Sequence, residues 1–429
     1  MLSKKNILVF PCGSEIGLEI YRSLEYSTHF RLVGGSSVDD HGRYVYKDYI
    51  GGIPNIENTN FIDAINKIVA ERNIDCIIPA HDSVLLELSR QKSLGNISCE
   101  IMSSPYETCR IARSKSLTYK TLSGTVKTPQ ILKQEQIVDS DFPIFVKPDV
   151  GQGSKGALMV NDIEALKYQI MTDPTLLIME YLPGKEYTVD CFTNRDGLLL
   201  FSEGRERVRI ANGISVSSTT VEDKRFHELA TAINKKLVFV GVWFFQVKES
   251  HGGDLVLLEV APRIAGTMGL VRCKGVNLAL LSLFNHFKQE VTIVENSYSI
   301  TIDRALENRY KHNIKYGHVY IDLDDLIINK GKINTLLIMY IYQCINNDIA
   351  IHLITRHDGD LTATLKRFRI GSLFDEVIYV STDKQKYEYI KHEDSIFIDD
   401  SYAERKIVQD KLSIPTFDAH MVEFLLDGN

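Results

Sequence analysis

Short apolar strands alternate with helical stretches at both ends of this chain, and that alternation predicts an α/β protein of several domains built on open parallel sheets. Three observations carry the reading. Residues 5 to about 104 repeat a strand–helix–strand pattern; residues 141–157 run from an apolar strand into a turn with glycines at 151, 153 and 156; and from about residue 315 a new series of apolar strands ends in acids and a hydroxyl.

Size and composition agree with this. A chain of 429 residues holds about two to four domains, since single cores rarely exceed about 250 residues. Apolar and charged fractions of 44% and 24% are those of an ordinary globular protein. A net charge of −7 speaks against a nucleic-acid partner or an anionic membrane surface. The seven cysteines stand singly, without CxxC or Cys/His zinc spacing; such a set fits reduced thiols in a cytoplasmic protein. The first residues, MLSKKNILVF, read as a strand rather than a signal peptide, and apolar runs such as residues 336–342 are too short to span a membrane.

Residues 6–10 form the first strand. After the turn Gly13-Ser-Glu-Ile-Gly17, Ile16, Ile20 and Leu24 fall at i, i+4 and i+8 on one helix face. Strands at 30–34, 75–79 and 100–102, with a helix at about 59–71, complete a parallel sheet. The Gly13 turn is a candidate phosphate site, although Pro11 and Cys12 precede it and the first glycine of the dinucleotide fingerprint is missing. A helix over about 105–122, bearing Arg113, Lys115 and Lys120, leads into the central region.

There the strand 142–146 ends on Lys147-Pro148, and Gly151-Gln-Gly-Ser-Lys-Gly156 follows. A lysine at a strand end meets a phosphate as a point charge, and a glycine-rich turn lets backbone N–H groups approach the same anion. The plain alternative is a hairpin turn with an exposed lysine. Strands at 176–181 and 187–192 flank the turn Pro183-Gly184-Lys185, placing Glu180 and Glu186 on either side. A buried Glu180 needs a hydrogen-bond donor, which an adenine amino group supplies, and Glu186 is placed to accept from ribose hydroxyls; otherwise both are surface hairpin acids. Arg205, Arg207 and Arg209 alternate at period two, so a strand puts them on one face, where an anionic ligand offsets their repulsion; a charged edge strand is the other reading. Residues 225–236 form an amphipathic helix, and strands at 242–248 and 254–260 place Gln246 opposite Glu259.

Four ordered blocks, FVKPDVGQGSKG, MEYLPGKEYTVD, FFQVKE and LLEVAPRIAGT, resemble the ATP-grasp superfamily in its carbamoyl-phosphate-synthase-like branch. The resemblance implies a Rossmann-like pre-ATP-grasp domain at 1–110 and an ATP-grasp α+β domain at 111–300, divided into subdomains 111–185 and 186–300. It implies ATP and Mg²⁺ as cofactors. Lys115 and Lys147 contact the phosphates under a mobile loop of Gly151, Gly153, Ser154 and Gly156; Glu180 and the Leu182 backbone hold adenine; Glu186 holds ribose. Gln246 and Glu259 carry Mg²⁺, with Arg263 near the γ-phosphate. The family commonly has Glu-x-Asn-Pro-Arg, and Ala261 stands here in place of the asparagine, which leaves one or two Mg²⁺ open. The chemistry implied is ligation of a small-molecule carboxylate to an amine through an acylphosphate. Arg205, Arg207 and Ser215 are the candidates for gripping the carboxylate.

In the third region, residues 318–328 read as an apolar strand ending in Asp322, Asp324 and Asp325. Further strands end at Thr355, near 380, and at Asp399-Asp400-Ser401, so acids lie at the carboxyl ends of parallel strands, where open α/β sheets bind ligands. This pattern over about 316–429 resembles the haloacid dehalogenase-like phosphatase superfamily and implies a Rossmannoid domain at 312–429. By resemblance Asp322 is the nucleophile, Asp324 the general acid/base, Thr355 a phosphate ligand and Lys386 the charge neutraliser, with Lys384 as its rival. Asp399 and Asp400, with Asp322 and Asp324, anchor Mg²⁺. Leu326 replaces a common threonine. The intervals before Thr355 and before Lys386 are too short for a cap domain. The whole chain is therefore expected to be a bifunctional ligase and phosphomonoesterase that ligates and then dephosphorylates a phosphorylated substrate. Two alternatives stand beside this: a ligase with a scaffold or regulatory phosphatase-like domain, and a nucleotide-sensing binding protein. A homo-oligomer is left open.

Overall fold

The computed structural model describes residues 4–151, 153 and 155–427 and divides into two compact units, 1–306 and 307–429.

The first unit opens with a five-stranded parallel sheet in the order Tyr49–Ile50, Phe30–Gly35, Lys5–Phe10, Ile74–Pro79, Glu100–Ile101. Its central strand, KNILVF, is buried on both faces, as a near-continuous apolar run requires. Helix Glu15–Leu24 starts at Ser14, whose side chain accepts from the Gly17 N–H, and buries Ile16, Ile20 and Leu24 at the expected spacing. Gly17 is required here: a Cβ would stand 2.3 Å from the Cys12 carbonyl. The Gly13 turn packs against an acid, since a Cβ on Gly13 would meet the Asp40 carboxylate, which itself accepts from the Ser36 hydroxyl and the Gly42 N–H. A phosphate at this turn would face that carboxylate.

The single helix expected over 105–122 is two, Tyr106–Arg113 and Lys115–Leu122. Ser114 adopts an extended conformation and caps the second by accepting from the Leu117 N–H. A small antiparallel sheet follows, ordered Leu158–Val160, Ile144–Pro148, Leu176–Glu180, with helix Ile163–Thr172 beside it. The largest sheet has six strands in the order Leu255–Ala261, Gly241–Glu249, Glu186–Thr193, Leu199–Ala211, Ile214–Val221, Thr301–Asp303. Its last strand lies beyond the expected limit at residue 300. Behind it Trp243 stacks on Phe239 at 4.0 Å and donates from Nε1 to Thr193.

One apolar core joins Ile7 and Val9 of the first sheet and Ile20 of its helix Glu15–Leu24 to Phe192 and Phe244 of the large sheet and Leu283 of the helix Leu278–His286. The expected first two domains thus lie within a single unit, and the ion pair of Arg272 with Glu19, at 2.9 Å, adds to their contact.

The second unit is a five-stranded parallel sheet ordered Glu376–Tyr379, Ala350–Thr355, His318–Ile321, Ser395–Ile398, Thr416–Phe417. Helices Thr335–Asn346, Leu361–Phe368 and Tyr402–Leu412 accompany it. The strand expected over 318–328 stops at Ile321; Asp325 takes a positive φ of 53°, and the chain turns into a small hairpin of Ile328–Asn329 with Lys332–Ile333. The interval to Thr355 then holds one helix and one strand. Among the described residues, no helix is long and apolar enough to cross a membrane.

Candidate functional site

In the first unit the candidate side chains come together because Asp149 ties two elements together. Following the strand Ile144–Pro148, it accepts from the Ser114 hydroxyl and the Ser116 N–H, both at 2.7 Å, while its carbonyl accepts from Lys115 Nζ at 3.1 Å. This sets Lys115 beside Lys147. Lys147 is buried and donates to the Tyr119 hydroxyl at 2.9 Å and the Leu258 carbonyl at 3.4 Å. Burial pushes its ammonium down to about 8, opposed by attraction from Glu259, and burial lowers Lys115 as well. Two partly desolvated lysines side by side are poised for an anion that restores what burial removes.

Opposite them Gln246 and Glu259 are direct register partners on adjacent antiparallel strands. Two continuous hollows run past these groups. One of about 160 Å³ is lined by Lys115, Lys147, Glu180, Leu182, Glu186 and Glu259; the other, of about 490 Å³, by Arg205, Arg207, Ser215, Gln246, Glu259 and Arg263. Gly151 and Gly153 border both. Gly153 and Gly156 have φ of 58° and 72°, which glycine adopts without strain. Ser154 lies outside the described residues.

Several expected residues carry partners that sequence did not show. Glu180 is only partly buried, and its Oε1 accepts from the Gln130 N–H at 2.9 Å, so a backbone donor already satisfies one oxygen. Glu186 pairs with Arg207, which also donates to Gln246 Oε1 at 3.1 Å and to the Gly213 carbonyl at 2.8 Å. Arg205 is expected to grip a substrate carboxylate; the carboxylate it grips is Asp190, in a bidentate pair at 2.7 and 3.0 Å, with side chains 2% and 0% exposed. Nor do the three arginines share one environment. The register shifts after Arg207, and Arg209 is exposed on Asp303. A bulge breaks the alternation on which the expectation rests. Arg263 makes a bidentate pair with Asp82, at 2.5 and 2.8 Å, and lies over the Phe244 ring. Asp82 comes from 181 positions earlier. Ser215 Oγ is buried and bonded to Ser218 Oγ at 2.8 Å. Ala261 is buried opposite Phe244, an apolar pair where an asparagine ligand would stand.

The second unit gathers acids at the carboxyl ends of its central strands. Asp322 follows Ile321, and Asp399 follows Ile398 on the neighbouring strand. Lys386 lies between them, with Nζ 2.8 Å from Asp322 Oδ1 and 2.6 Å from Asp399 Oδ2. All three are buried. Desolvation pushes Asp322 up to about 7 against the pull of Lys386, and raises Asp399. Lys386 moves the other way from a lone buried lysine: burial would lower it, but the two aspartates outweigh that. Asp399 is oriented by the Ser401 N–H at 2.8 Å, and Asp322, Asp399 and Asp400 bring one oxygen each within 4.8 Å of one another. Lys384 pairs instead with Glu388 on the surface. Thr355 is buried, 3.4 Å from Asp324 Oδ2. The unforeseen member is His357, whose Nδ1 meets Asp324 at 2.9 Å and whose Nε2 meets the Thr364 hydroxyl at 2.8 Å. Its place just after Thr355 was the available signal.

Residues 172–306 match the family model described as ATP-grasp in the biosynthetic pathway with Ter operon. The chain is 24% identical over 247 residues, 56% of its length, to the 3-methyl-D-ornithine–L-lysine ligase of Methanosarcina mazei, and the match spans 64% of that relative. Among solved structures, the biotin carboxylase domain of Hydrogenobacter thermophilus 2-oxoglutarate carboxylase, in complex with MgADP, ADP and bicarbonate, is similar with a TM-score of 0.59 at 12% identity, covering 69% of this chain and 73% of that one. The L-amino acid ligase of Bacillus licheniformis is similar with a TM-score of 0.53 at 15% identity, covering 67% and 74%. At these identities the likeness is one of fold: the α/β architecture is that of ATP-grasp structures.

Proposed function

We propose, from the ATP-grasp fold of the first unit, that this unit is an ATP-dependent carboxylate–amine ligase acting through an acylphosphate. The observation that carries the reading is one cavity in which buried Lys147 and neighbouring Lys115 stand across from the paired oxygens of Gln246 and Glu259. Those oxygens are hard donors that suit Mg²⁺, which when bound neutralises charge between phosphates. Lys147 and Lys115 hold the phosphates; Glu180 and the Leu182 backbone hold adenine; Glu186 holds ribose once released from Arg207. Arg263, fixed by Asp82, faces the γ-phosphate end, and the turn bearing Gly151, Gly153 and Gly156 covers the nucleotide. Arg207 and Ser215, in the larger hollow, orient the substrate carboxylate. Its oxygen displaces ADP from the γ-phosphorus; the amine then attacks the acyl carbon, phosphate leaves and the nitrogen loses a proton. The chain's share is positioning and charge. Release of ADP and phosphate with panels of small carboxylates and amines tests this. Lys147→Ala should lower ADP formation by about 10²–10³-fold, and unchanged ADP formation in that variant would show the assignment to be wrong.

For the second unit the reading is a capless haloacid dehalogenase-like phosphomonoesterase, supported by the Asp322, Lys386 and Asp399 cluster at the strand ends. Asp322 attacks the phosphorus of a monoester; Asp324, held by His357, donates a proton to the leaving alcohol and then takes one from the attacking water. Thr355 and Lys386 hold the phosphoryl oxygens. Asp322, Asp324, Asp399 and Asp400 would hold Mg²⁺, an oxygen donor set that suits it. One chain then ligates a phosphorylated acid or amine and removes its phosphate. Aryl phosphate hydrolysis by the full chain, lost in Asp322→Asn, separates this from a scaffold domain, which would show no turnover.

A further inference from the structure

Away from its acids, the second unit carries a cluster of imidazoles that the phosphatase reading does not use. His318 begins the central strand His318–Ile321, His352 lies on its neighbour Ala350–Thr355, and His392 precedes Ser395–Ile398 on the other side. Because Tyr320 and His352 are register partners, and side chains two apart on a strand share a face, His318, Tyr320 and His352 lie on one face. His392 reaches the same place from its loop, which the Tyr320 hydroxyl holds by accepting from the Lys391 N–H at 3.2 Å.

The nitrogens lie close together. One ring nitrogen from each histidine lies within 4.8 Å of the other two, and His318 Nδ1 is 3.0 Å from His352 Nε2. Nitrogens bound at about 2.0–2.1 Å around a tetrahedral zinc stand roughly 3.3 Å apart; the His318 and His392 rings are stacked in parallel with centroids 3.5 Å apart, so His392 has to turn out of the stack on its loop to aim its lone pair at the same point. A second feature points the same way. His352 Nδ1 meets Glu376 Oε2 at 2.9 Å, which places the proton on Nδ1 and leaves the Nε2 lone pair facing His318 Nδ1, whose N–H it accepts until an ion takes that place. A carboxylate behind an imidazole is the arrangement that orients metal-binding histidines. His352 is buried, whereas His318 and His392 are partly exposed, so an ion can reach the site and water can fill a fourth position.

We infer that His318, His352 and His392 form a binding site for a divalent transition-metal ion, Zn²⁺ by preference, oriented by Glu376. Three imidazoles without an oxygen ligand select such ions over Mg²⁺, whereas the all-oxygen cluster of Asp322, Asp399 and Asp400 has the opposite preference. The two sites sit at opposite ends of one strand: Asp322 is four residues from His318, about 13 Å along an extended chain. The ion therefore clamps the amino-terminal ends of three adjacent strands rather than touching a substrate at their carboxyl ends.

The test is equilibrium dialysis of the chelator-stripped full chain against Zn²⁺ with excess Mg²⁺ present, followed by metal analysis. One zinc per chain is expected, lost in His392→Ala and His352→Ala, weakened roughly 10- to 100-fold in Glu376→Gln, and retained in Asp322→Asn. His392 stands in a loop, so its variant keeps the strands intact, and a circular dichroism spectrum checks this. Failure of the wild-type chain to retain zinc, full retention by His392→Ala, or loss in Asp322→Asn would each overturn the assignment.

Discussion

In the first unit the buried ammonium of Lys147 is held by neutral oxygens, the Tyr119 hydroxyl and the Leu258 carbonyl; in the second the buried ammonium of Lys386 lies between two carboxylates, Asp322 and Asp399. Burial disfavours the charged form of both lysines, yet Lys147 is pushed down to about 8 and Lys386 is pushed up. The partners decide the sign. Lys147 has no carboxylate in contact, so the phosphate proposed to bind there would supply the counter-charge it lacks. Lys386 already neutralises charge built into the chain, and with Asp400 beside the pair the cluster keeps an excess of acid that suits a cation. A buried lysine alone does not identify an anion site; what faces it does.

The most damaging change should be at the second site. Asp322→Asn is expected to lower aryl phosphate hydrolysis by at least about 10³-fold while leaving ADP formation at the first site intact; equal loss of both would erase the distinction. Next is Lys147→Ala, which should lower ADP formation by about 10²–10³-fold in a coupled assay and leave phosphate ester hydrolysis unchanged. Asp190→Ala should act differently from both. It strands the buried Arg205 guanidinium, and an uncompensated buried charge costs about 3–5 kcal/mol, readable as a lower denaturant midpoint. If Asp190→Ala instead left stability unchanged and abolished substrate binding, Arg205 would be a substrate ligand after all.

The smallest effect is in pH. Lys147 has a folded value below its usual one, so its charge is complete well below pH 8 and is lost as pH rises through about 8. Nucleotide affinity should therefore fall toward tenfold per unit above that point, followed by calorimetry in the wild type. Lys147→Arg, which stays charged, should flatten the profile.

Much of this comparison was legible in the sequence, because its parts are local. The strand ending on Lys147, the Gln246 and Glu259 pair across one hairpin, and the acids after Ile321 and Ile398 each follow from short patterns of apolar alternation and turn residues. The unforeseen parts are distant or irregular. Asp82 reaches Arg263 from 181 positions away, and Asp190 meets Arg205 diagonally across the hairpin of Glu186–Thr193 with Leu199–Ala211, a pairing that depends on the exact register. No local period signals either. The bulge after Arg207 and the extended Ser114 between two helices come from tertiary contacts that override the local pattern.

The central claim, that the first unit activates a carboxylate with ATP, is tested most directly by trapping the activated acid. The full chain is incubated with ATP, Mg²⁺, hydroxylamine and a panel of small carboxylates, and hydroxamate and ADP are measured together. The expected result is hydroxamate formed in step with ADP for at least one carboxylate, both lowered about 10²–10³-fold in Lys147→Ala. Tight ATP binding with neither product across the panel would contradict it, and would make the first unit a nucleotide-binding module.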